Sequence, residues 1–355
     1  MRVNGGGTAD YATFAGMAAK NDNNEATDGY NVWGLFQKIA GGYLWKGLMR
    51  LGYTSAVDFR DSDVLILIDE TDNVTAGFNK IDVEQSGSRV DWTNITIQAL
   101  GTVSPGAFEC VADADINWDG CKFIDMGTFV FDSASTILNT TWQRCTLVTS
   151  GAGVFTGCTF EESTSSSSIL CAAPAEAASI SNTHFMSDGS THAIEITGTA
   201  ANVTLSGNTF SGYAASDGST GNECIYVNIA SGSMTISISG DGDFPSIRTA
   251  GATVLVQNTK ILTVTVQEAD GTKISGARVG IYKLSDRTEI HTGTTTAGGV
   301  VQKTDYNYTV DTAVYIRARL SPDGATRYVP SEIPGTITTT GLNVVVTLFE
   351  DEIAE

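Results

Sequence analysis

Charged side chains, histidines and long apolar runs are scarce in this sequence. Only 17% of the 355 residues are charged, and 40 acidic residues against 20 basic ones leave a net charge of −20. Such a surface repels phosphate backbones, so nucleic-acid binding is not expected. No run of eighteen apolar residues occurs, so no transmembrane helix and no membrane partner are expected. The first residues lack the apolar core of a secretory signal, which predicts synthesis in a cytoplasm without export.

The six cysteines and three histidines offer little for metal or disulfide chemistry. No two cysteines form a CxxC pair, and a zinc site needs closer ligand spacing and more histidines. Cys121, Cys145 and Cys158 recur at one position of the repeat described next. We therefore predict stacked, buried and reduced thiols, because free cysteine packs as a small apolar side chain. No cofactor is expected.

Six short segments between Trp92 and Phe210 can be aligned with one another. They read WTNITI from Trp92, WDGCKF from Trp118, WQRCTL from Trp142, FTGCTF from Phe155, ISNTHF from Ile180 and LSGNTF from Leu205. The first and sixth columns are large and apolar, and the fourth holds Ile95, Cys121, Cys145, Cys158, Thr183 and Asn208. Apart from one short step, from Trp142 to Phe155, the segments begin at nearly equal intervals. A near-constant period in this range is typical of a solenoid, in which each turn buries its apolar face against its neighbours.

The composition of the repeat favours strands. Apolar residues (Val, Ile and Phe) alternate with polar ones (Thr and Ser). Gly, Asn, Asp and Ser lie between these stretches, as turns require. Turns such as SGNTF and TGCTF resemble those of the right-handed parallel β-helix of pectate lyases and bacteriophage tailspikes. The resemblance covers residues 57–258 and implies an all-β solenoid; a β-sandwich with accidental similarity is the alternative. The short step after Trp142 departs from the pattern, which indicates a truncated coil or a slip of the alignment.

Residues 1–56 are predicted to form a partly helical segment. Residues 8–20 could make a short helix capped by Thr8 or Asp10. The stretch from Asn31 to Tyr53 fits two amphipathic helical pieces broken at Gly41–Gly42. Its candidate partner-binding residues are Trp33, Leu35, Phe36, Ile39, Leu44, Trp45, Leu48 and Met49. The segment could dock on a partner subunit, cover the open end of the solenoid, or be an ordinary core element.

Acidic residues crowd around the first predicted strand. They are Asp58, Asp61, Asp63, Asp69, Glu70 and Asp72, beside the apolar run from Val64 to Ile68. A carboxylate cluster of this kind can bind Ca²⁺. A charged edge that discourages pairing between sheets explains it equally.

From residue 259 the pattern changes to clean alternation. Val264, Val266, the turn Asp270–Gly271, Ile274, Gly276, Ala277 and Val279 are followed by the turn Thr296–Gly299. This pattern resembles the carboxypeptidase-regulatory-like, or transthyretin-like, β-sandwich, an immunoglobulin-like fold. The resemblance implies an adhesive or spacer module at residues 259–355. Fold alone does not give function.

Catalytic motifs are missing. The sequence contains no polygalacturonase-like series, no GxSxG elbow and no HExxH motif. Paired carboxylates could still serve a glycosidase. If the chain is an enzyme, Asp188, Glu195, Asp241 and Asp243 are the candidates.

These observations predict a non-enzymatic structural protein. The resemblance to phage β-helices implies a virion surface protein, made in the host cytoplasm, that stabilises the capsid as a decoration protein or attaches to the host as a tail fibre or spike. It also implies a homotrimer, held to other virion proteins by the N-terminal segment, with a host glycan or receptor as a further partner. The alternatives are a depolymerase of the tailspike type and a bacterial surface adhesin.

Overall fold

A computed structural model gives the fold of the protein. It describes residues 2–3, 13–24, 34–52, 55–69, 79–101, 105–132, 134–214, 222–240, 242–321 and 326–352. Within these ranges the fold is all-β apart from helices α1 (Phe14–Asn24) and α2 (Pro174–Ala177). The chain divides into two compact units: Met1–Ile236 with Pro245–Leu255, and Ser237–Phe244 with Val256–Glu355.

Most strands before residue 252 are short, and those after it are generally longer. The first sixteen are β1 (Arg2–Val3), β2 (Gly34–Ile39), β3 (Gly42–Leu51), β4 (Asp58–Ser62), β5 (Leu65–Ile68), β6 (Lys80–Val83), β7 (Arg89–Thr93), β8 (Thr96–Ala99), β9 (Ala107–Cys110), β10 (Asp115–Asp119), β11 (Lys122–Ile124), β12 (Phe129–Phe131), β13 (Thr136–Leu138), β14 (Thr141–Gln143), β15 (Val148–Thr149) and β16 (Val154–Thr156). The next nine are β17 (Thr159–Glu161), β18 (Ser167–Cys171), β19 (Ile180–Ser181), β20 (His184–Met186), β21 (His192–Ile196), β22 (Val203–Ser206), β23 (Thr209–Ser211), β24 (Ile225–Val227) and β25 (Ser233–Ser239). The last eight are β26 (Ile247–Thr249), β27 (Thr253–Gln267), β28 (Arg278–Lys283), β29 (Glu289–Thr294), β30 (Val300–Asn307), β31 (Thr312–Leu320), β32 (Tyr328–Ile337) and β33 (Leu342–Thr347).

Three parallel ladders organise the first unit. Ladder one stacks β4, β7, β10, β13, β16, β19 and β22. Ladder two stacks β5, β8, β11, β14, β17, β20 and β23 on the first half of β3. Ladder three stacks β6, β9, β12, β15, β18, β21, β24 and β26 on the second half of β3. Successive coils therefore place one strand in each ladder, which is consistent with the predicted β-helix solenoid.

Aromatic rings fill the inside of the coils. In ladder two the inward column runs Ile97, Phe123, Trp142, Phe160, Phe185 and Phe210. The rings of Phe160 and Phe185 lie 5.1 Å apart and within 8° of parallel, and Phe185 continues the stack to Phe210 at 5.5 Å. The prediction that the phenylalanines of the sixth column line one wall is confirmed, with Trp142 inserted between Phe123 and Phe160.

The alignment of the third segment was wrong by one strand. Trp142 pairs with Phe123 and Phe160, so it belongs to the sixth column, and the first-column residue of that coil is Ile137. The repeat there reads ILNTTW, and the steps from Trp118 to Ile137 and from Ile137 to Phe155 are nearly equal. The step from Trp142 to Phe155 was therefore a slip of the alignment. The two coils that begin at Trp118 and Ile137 are nevertheless shorter than their neighbours. Tryptophan is equally suited to the inside of either ladder, so matching letters could not distinguish the two.

The corner between ladders one and two has the same backbone conformation in every coil. Its third-column residues have positive φ, and asparagine and glycine alternate from coil to coil: Asn94, Gly120, Asn139, Gly157, Asn182 and Gly207, with φ between 48° and 66°. Asn and Gly are the residues that adopt this left-handed conformation most readily. Each of these glycines lies against the side chain of the asparagine one coil earlier. A Cβ atom added to the glycine would come close to the Oδ1 atom of that asparagine: 2.6 Å for Gly120, 2.8 Å for Gly157 and 2.1 Å for Gly207.

Mostly small side chains, both apolar and polar, fill the inside of the same corner. With the register corrected, the fourth column is Ile95, Cys121, Thr140, Cys158, Thr183 and Asn208, and all six are buried. The Thr140 and Thr183 hydroxyls donate to carbonyls two residues earlier, at 2.9 and 3.1 Å, and the Cys158 thiol makes the same contact at 3.7 Å. Cys145 is not in this column, since it follows β14 at the next corner.

The segment predicted as two helices is a β-hairpin. Strands β2 and β3 pair antiparallel, with Phe36 opposite Trp45, and turn at Ala40–Gly41. In β3 the buried positions follow a period of two, as Trp45, Met49 and Leu51 show. The density of large apolar residues suggested helices, but their period in β3 is that of a strand.

The N-terminal helix begins later than predicted. Helix α1 spans Phe14–Asn24, and its first turn is capped by the Thr13 hydroxyl, which accepts a hydrogen bond from the Gly16 amide at 3.1 Å. Thr8 and Asp10, the predicted caps, lie outside the described residues.

The second unit contains two groups of strands around one core. Strands β29, β28, β31 and β32 form an antiparallel sheet in that order, and β27 pairs with β30 and β33. The core cluster takes Val264 and Val266 from β27, Val279 and Ile281 from β28, and Ile316 from β31, among others. Val264 and Val266 lie in β27 and Val279 lies in β28, on either side of the turn at Asp270–Gly271, where the sequence placed them.

Candidate functional site

The predicted partner-binding residues divide into buried and half-buried groups. Phe36, Trp45 and Met49 are at most 2% exposed, so they pack inside the protein. Ile39, Leu44 and Leu48 are half-buried; Trp33 and the side chain of Leu35 lie outside the described part of the chain. The half-buried residues are the described members of the set that a partner could reach. Docking on a partner stays a prediction.

Helix α1 covers aromatic side chains of the first coils. The ring of Phe14 lies 5.5 Å from that of Phe36, 4.9 Å from Phe59 and 5.6 Å from Trp92. The Phe14 amide donates to Asp61 Oδ2 at 2.7 Å, which fixes the start of the helix on β4. This packing agrees with the covering role considered for the N-terminal segment, since the end of a solenoid needs a cap.

The carboxylates around β4 bind neighbouring side chains and amides. Asp58 is paired with Arg60 at 2.7 Å, and this hydrogen bond lowers the pKa of the Asp58 carboxyl. Asp61 accepts from Phe14, and Asp63 accepts from the Asn94 amide at 3.0 Å. Glu70 and Asp72 lie outside the described residues. These contacts favour the structural explanation of the acidic residues over Ca²⁺ binding.

The four candidate catalytic carboxylates do not form a described cluster. Asp188 is held by the backbone and hydroxyl of Ser190, and the hydroxyl contact lowers the pKa of its carboxyl. Glu195 lies on β21 of the first unit, and Asp243 is an exposed residue of the second. Asp241 is outside the described residues. Across the described ranges, no three His, Cys, Asp or Glu side chains gather as a metal site.

A polar cluster does form on the last coils of ladder three. Glu195, Tyr226 and Arg248 are consecutive register partners, and Arg248 lies 4.6 Å above the Tyr226 ring. His192 stacks on the same ring at 5.1 Å, with Nδ1 2.7 Å from the Glu223 carbonyl and Nε2 3.4 Å from Arg248. The tautomer that satisfies both contacts carries its proton on Nδ1.

Both carboxylate oxygens of Glu195 are hydrogen bonded within this cluster. Ser167 donates to Oε2 at 3.1 Å and Asn228 to Oε1 at 2.9 Å. The sequence singled out Glu195 but not His192, Tyr226 or Arg248, because the cluster joins successive coils that are far apart in the chain. The contacts join His192, Tyr226 and Arg248 to one another, and they join Glu195 separately to Ser167 and Asn228.

All six cysteines are buried. The predicted burial of Cys121, Cys145 and Cys158 is confirmed, but Cys145 does not share the column of the other two. Burial raises the pKa of the Cys121, Cys145, Cys158 and Cys171 thiols to about 12. Reactive cysteines have a lowered pKa and partial exposure, so these are structural.

We expect the native protein to resist a thiol reagent at pH 8 and to expose six reactive thiols in guanidinium chloride.

The raised pKa values of the buried thiols also predict that the protein loses stability at alkaline pH. Their contribution to stability is complete below the ordinary thiol pKa of about 8.5 and is lost as the pH rises towards about 12, because only the unfolded chain ionises in that interval. Thiolate absorbance during a pH titration measures this. A thiol that reacts within seconds in the native protein would contradict the burial.

No family model matches the chain, and no curated protein matches it either. In the described residues, no helix is long and apolar enough to cross a bilayer. The function is therefore argued from the architecture alone.

Proposed function

We propose that the protein is a non-enzymatic structural protein of a bacteriophage particle, displayed on its surface as a capsid decoration protein or as part of a tail fibre or spike. The observation that carries the proposal is the construction of the first unit. Aromatic rings fill its coils, and many of its outward carboxylates are bound by neighbouring side chains. A solenoid with a filled interior of this kind is suited to bearing load.

In this proposal the first unit is a right-handed parallel β-helix, and the second is a transthyretin-like β-sandwich. The three parallel ladders and the recurring corner support the first assignment. The shared core of the β27 and β28 groups supports the second. The combination of a solenoid with a small β module is the plan that the sequence resemblance implies.

The ion pairs on the coils favour a structural role over catalysis. Arg144 makes a bidentate contact with Asp125 at 2.6 and 2.9 Å, and Arg89 binds Asp91 at 2.7 Å. Arg50 is paired with Glu84. A glycosidase needs two carboxyl groups facing a substrate across a cleft. The described carboxylates of the coils that we singled out are instead engaged with neighbouring side chains and amides.

We also propose a homotrimer attached to the particle through the N-terminal segment, since closed symmetric assemblies are the rule for homomers. Because the hairpin is part of the first unit, deleting the N-terminal segment is not a clean test of this attachment. Strand β3 pairs with β5 and β6, so deletion of residues 1–56 would remove part of the core as well as any docking surface. A substitution at half-buried Ile39, such as Ile39→Lys, leaves the buried column in place.

Immunogold labelling with antibodies against the purified chain tests the proposal. We expect gold on phage particles purified from the native source, and light scattering of the chain is expected to give three times 37.3 kDa. The Ile39→Lys chain should fold but label particles less when added to particles that lack the protein. Gold confined to bacterial cells would favour an adhesin and contradict the proposal. A monomeric mass would contradict the trimer alone.

A further inference from the structure

The outer face of the four-stranded sheet in the second unit carries a group of arginines. Arg278 on β28 lies directly opposite Arg319 on β31, and Arg317 lies opposite Gly280. The residues between them, Val279 and Ala318, are fully buried in the core on the other side of the sheet. Alternation along a strand therefore points all three arginines outward. We call Arg278, Arg317 and Arg319 the arginine face.

Few of the described carboxylates lie close enough to neutralise the positive charges of the arginine face. Like charges directly opposite each other destabilise a sheet. Arg317 has a carboxylate neighbour, Glu332, at 3.9 Å, with both side chains more than half exposed. For Arg278 and Arg319, no acidic partner within 4.0 Å occurs in the described part of the chain. The arginines of the coils, such as Arg144, are by contrast closely paired.

A depression lies between the arginines. It has a volume of about 250 Å³ and is lined by Arg278, Gly280, Tyr282, Thr292, Arg317 and Arg319, among others. Gly280 has no side chain to fill it, and a Cβ there would come within 2.5 Å of the Tyr282 ring. The Tyr282 and Tyr315 rings stack at 5.1 Å beside it and form an aromatic wall. Glu289 borders the site, where its carboxylate accepts a hydrogen bond from Thr292.

We propose that the arginine face binds a glycan that bears carboxylate groups, with Arg278 and Arg319 on one carboxylate and a sugar ring against Tyr282. The guanidinium group is a planar fork that matches a carboxylate bidentately. Tyrosine offers an apolar ring together with a hydroxyl, which suits the mixed surface of a sugar.

The lower charge density of an acidic glycan distinguishes it from nucleic acid as a ligand for the arginine face. Duplex DNA carries one charge per about 1.7 Å of its axis. The remainder of a chain with net charge −20 repels such a polyanion far more strongly than a short glycan with one carboxylate per sugar. The inference concerns the second unit alone and goes beyond the particle assignment, which it does not require.

Calorimetry on the purified full chain at physiological salt tests the inference. The probe is a galacturonate trisaccharide, with a galactose trisaccharide as the neutral control and triglutamate as the peptide control. We expect a dissociation constant below about 1 mM for the acidic sugar and no measurable binding of either control. Equal binding of triglutamate would show attraction by charge alone and would overturn the assignment to a glycan. No binding of the acidic sugar would overturn the site.

Variants locate the binding on the arginine face. Arg278→Gln and Arg319→Gln should each weaken binding at least about tenfold, because each removes a charge-assisted hydrogen-bonded contact. The matched control is Arg287→Asn in the β28–β29 turn, which removes one charge at an exposed position with φ of 63°, a conformation that asparagine tolerates. Binding by this control should stay within about twofold of the parent. Circular dichroism confirms folding of each variant. Equal losses in the control and in the two test variants would contradict the site.

Discussion

Replacing Phe160 by alanine is expected to lower the free energy of unfolding by about 3–5 kcal/mol. Phe160 is 1% exposed and lies between two parallel rings, Trp142 at 4.7 Å and Phe185 at 5.1 Å. Neighbouring coils are fixed by backbone hydrogen bonds on both sides of the ring, so the stack cannot close around the cavity. Urea denaturation followed by tryptophan fluorescence measures the loss, because all five tryptophans belong to the first unit.

The control for this experiment is Phe160→Leu, which keeps most of the buried volume. It should cost clearly less than the alanine variant, since the cavity term depends on the volume removed. An unchanged urea midpoint for Phe160→Ala would show that Phe160 is not in the inward column. A similar loss in both variants would indicate that the ring stack, rather than the filled volume, dominates.

Replacing Gly207 by alanine should destabilise the first unit through two separate effects. The left-handed backbone at φ of 66° costs about 1–2 kcal/mol for a residue with a Cβ. The new methyl group would come within 2.1 Å of Asn182 Oδ1, and crowding of this kind adds about 1–3 kcal/mol. The free energy of unfolding, measured as for Phe160, reports the total.

The chain offers a matched control that separates the two effects. Gly189 also has positive φ, at 97°, but nothing lies within 4 Å of the position of its Cβ. Gly189→Ala should therefore show the backbone cost without the crowding. Combining Gly207→Ala with Asn182→Gly should recover the crowding part. If Gly207→Ala and Gly189→Ala cost the same, the asparagine is not packed against the glycine.

The sequence was sufficient where one pattern had one structural meaning. The recurring phenylalanines at Phe160, Phe185 and Phe210 identified a wall because only a stack of parallel coils places residues at this constant spacing side by side. Burial of Cys121 and Cys158 followed from their recurrence at one position of the repeat. The missing catalytic motifs predicted a non-enzymatic protein, and this stays a prediction.

Sequence reasoning failed where two structures share a pattern. Trp142 fits the inside of either wall, and its true column depends on which neighbours it meets in space. The hairpin around Trp45 is so rich in apolar residues that its density hid its period. Arg278 and Arg319 are opposite each other only because β28 and β31 pair in one register, although β29 and β30 come between these two strands in the chain.

The constant corner determines where this chain can accept new residues. The first and sixth columns keep the same separation in sequence in every coil, as in Trp92 to Ile97 and Phe155 to Phe160. The remainder of the coil varies in length, and an insertion there, as between β18 and β19 where α2 already lies, only lengthens a loop. An insertion at the corner would instead displace an asparagine or glycine from its neighbours on both sides. Foreign epitopes grafted into the variable parts of successive coils would be displayed along the side of the rod at intervals of one strand spacing, about 4.8 Å.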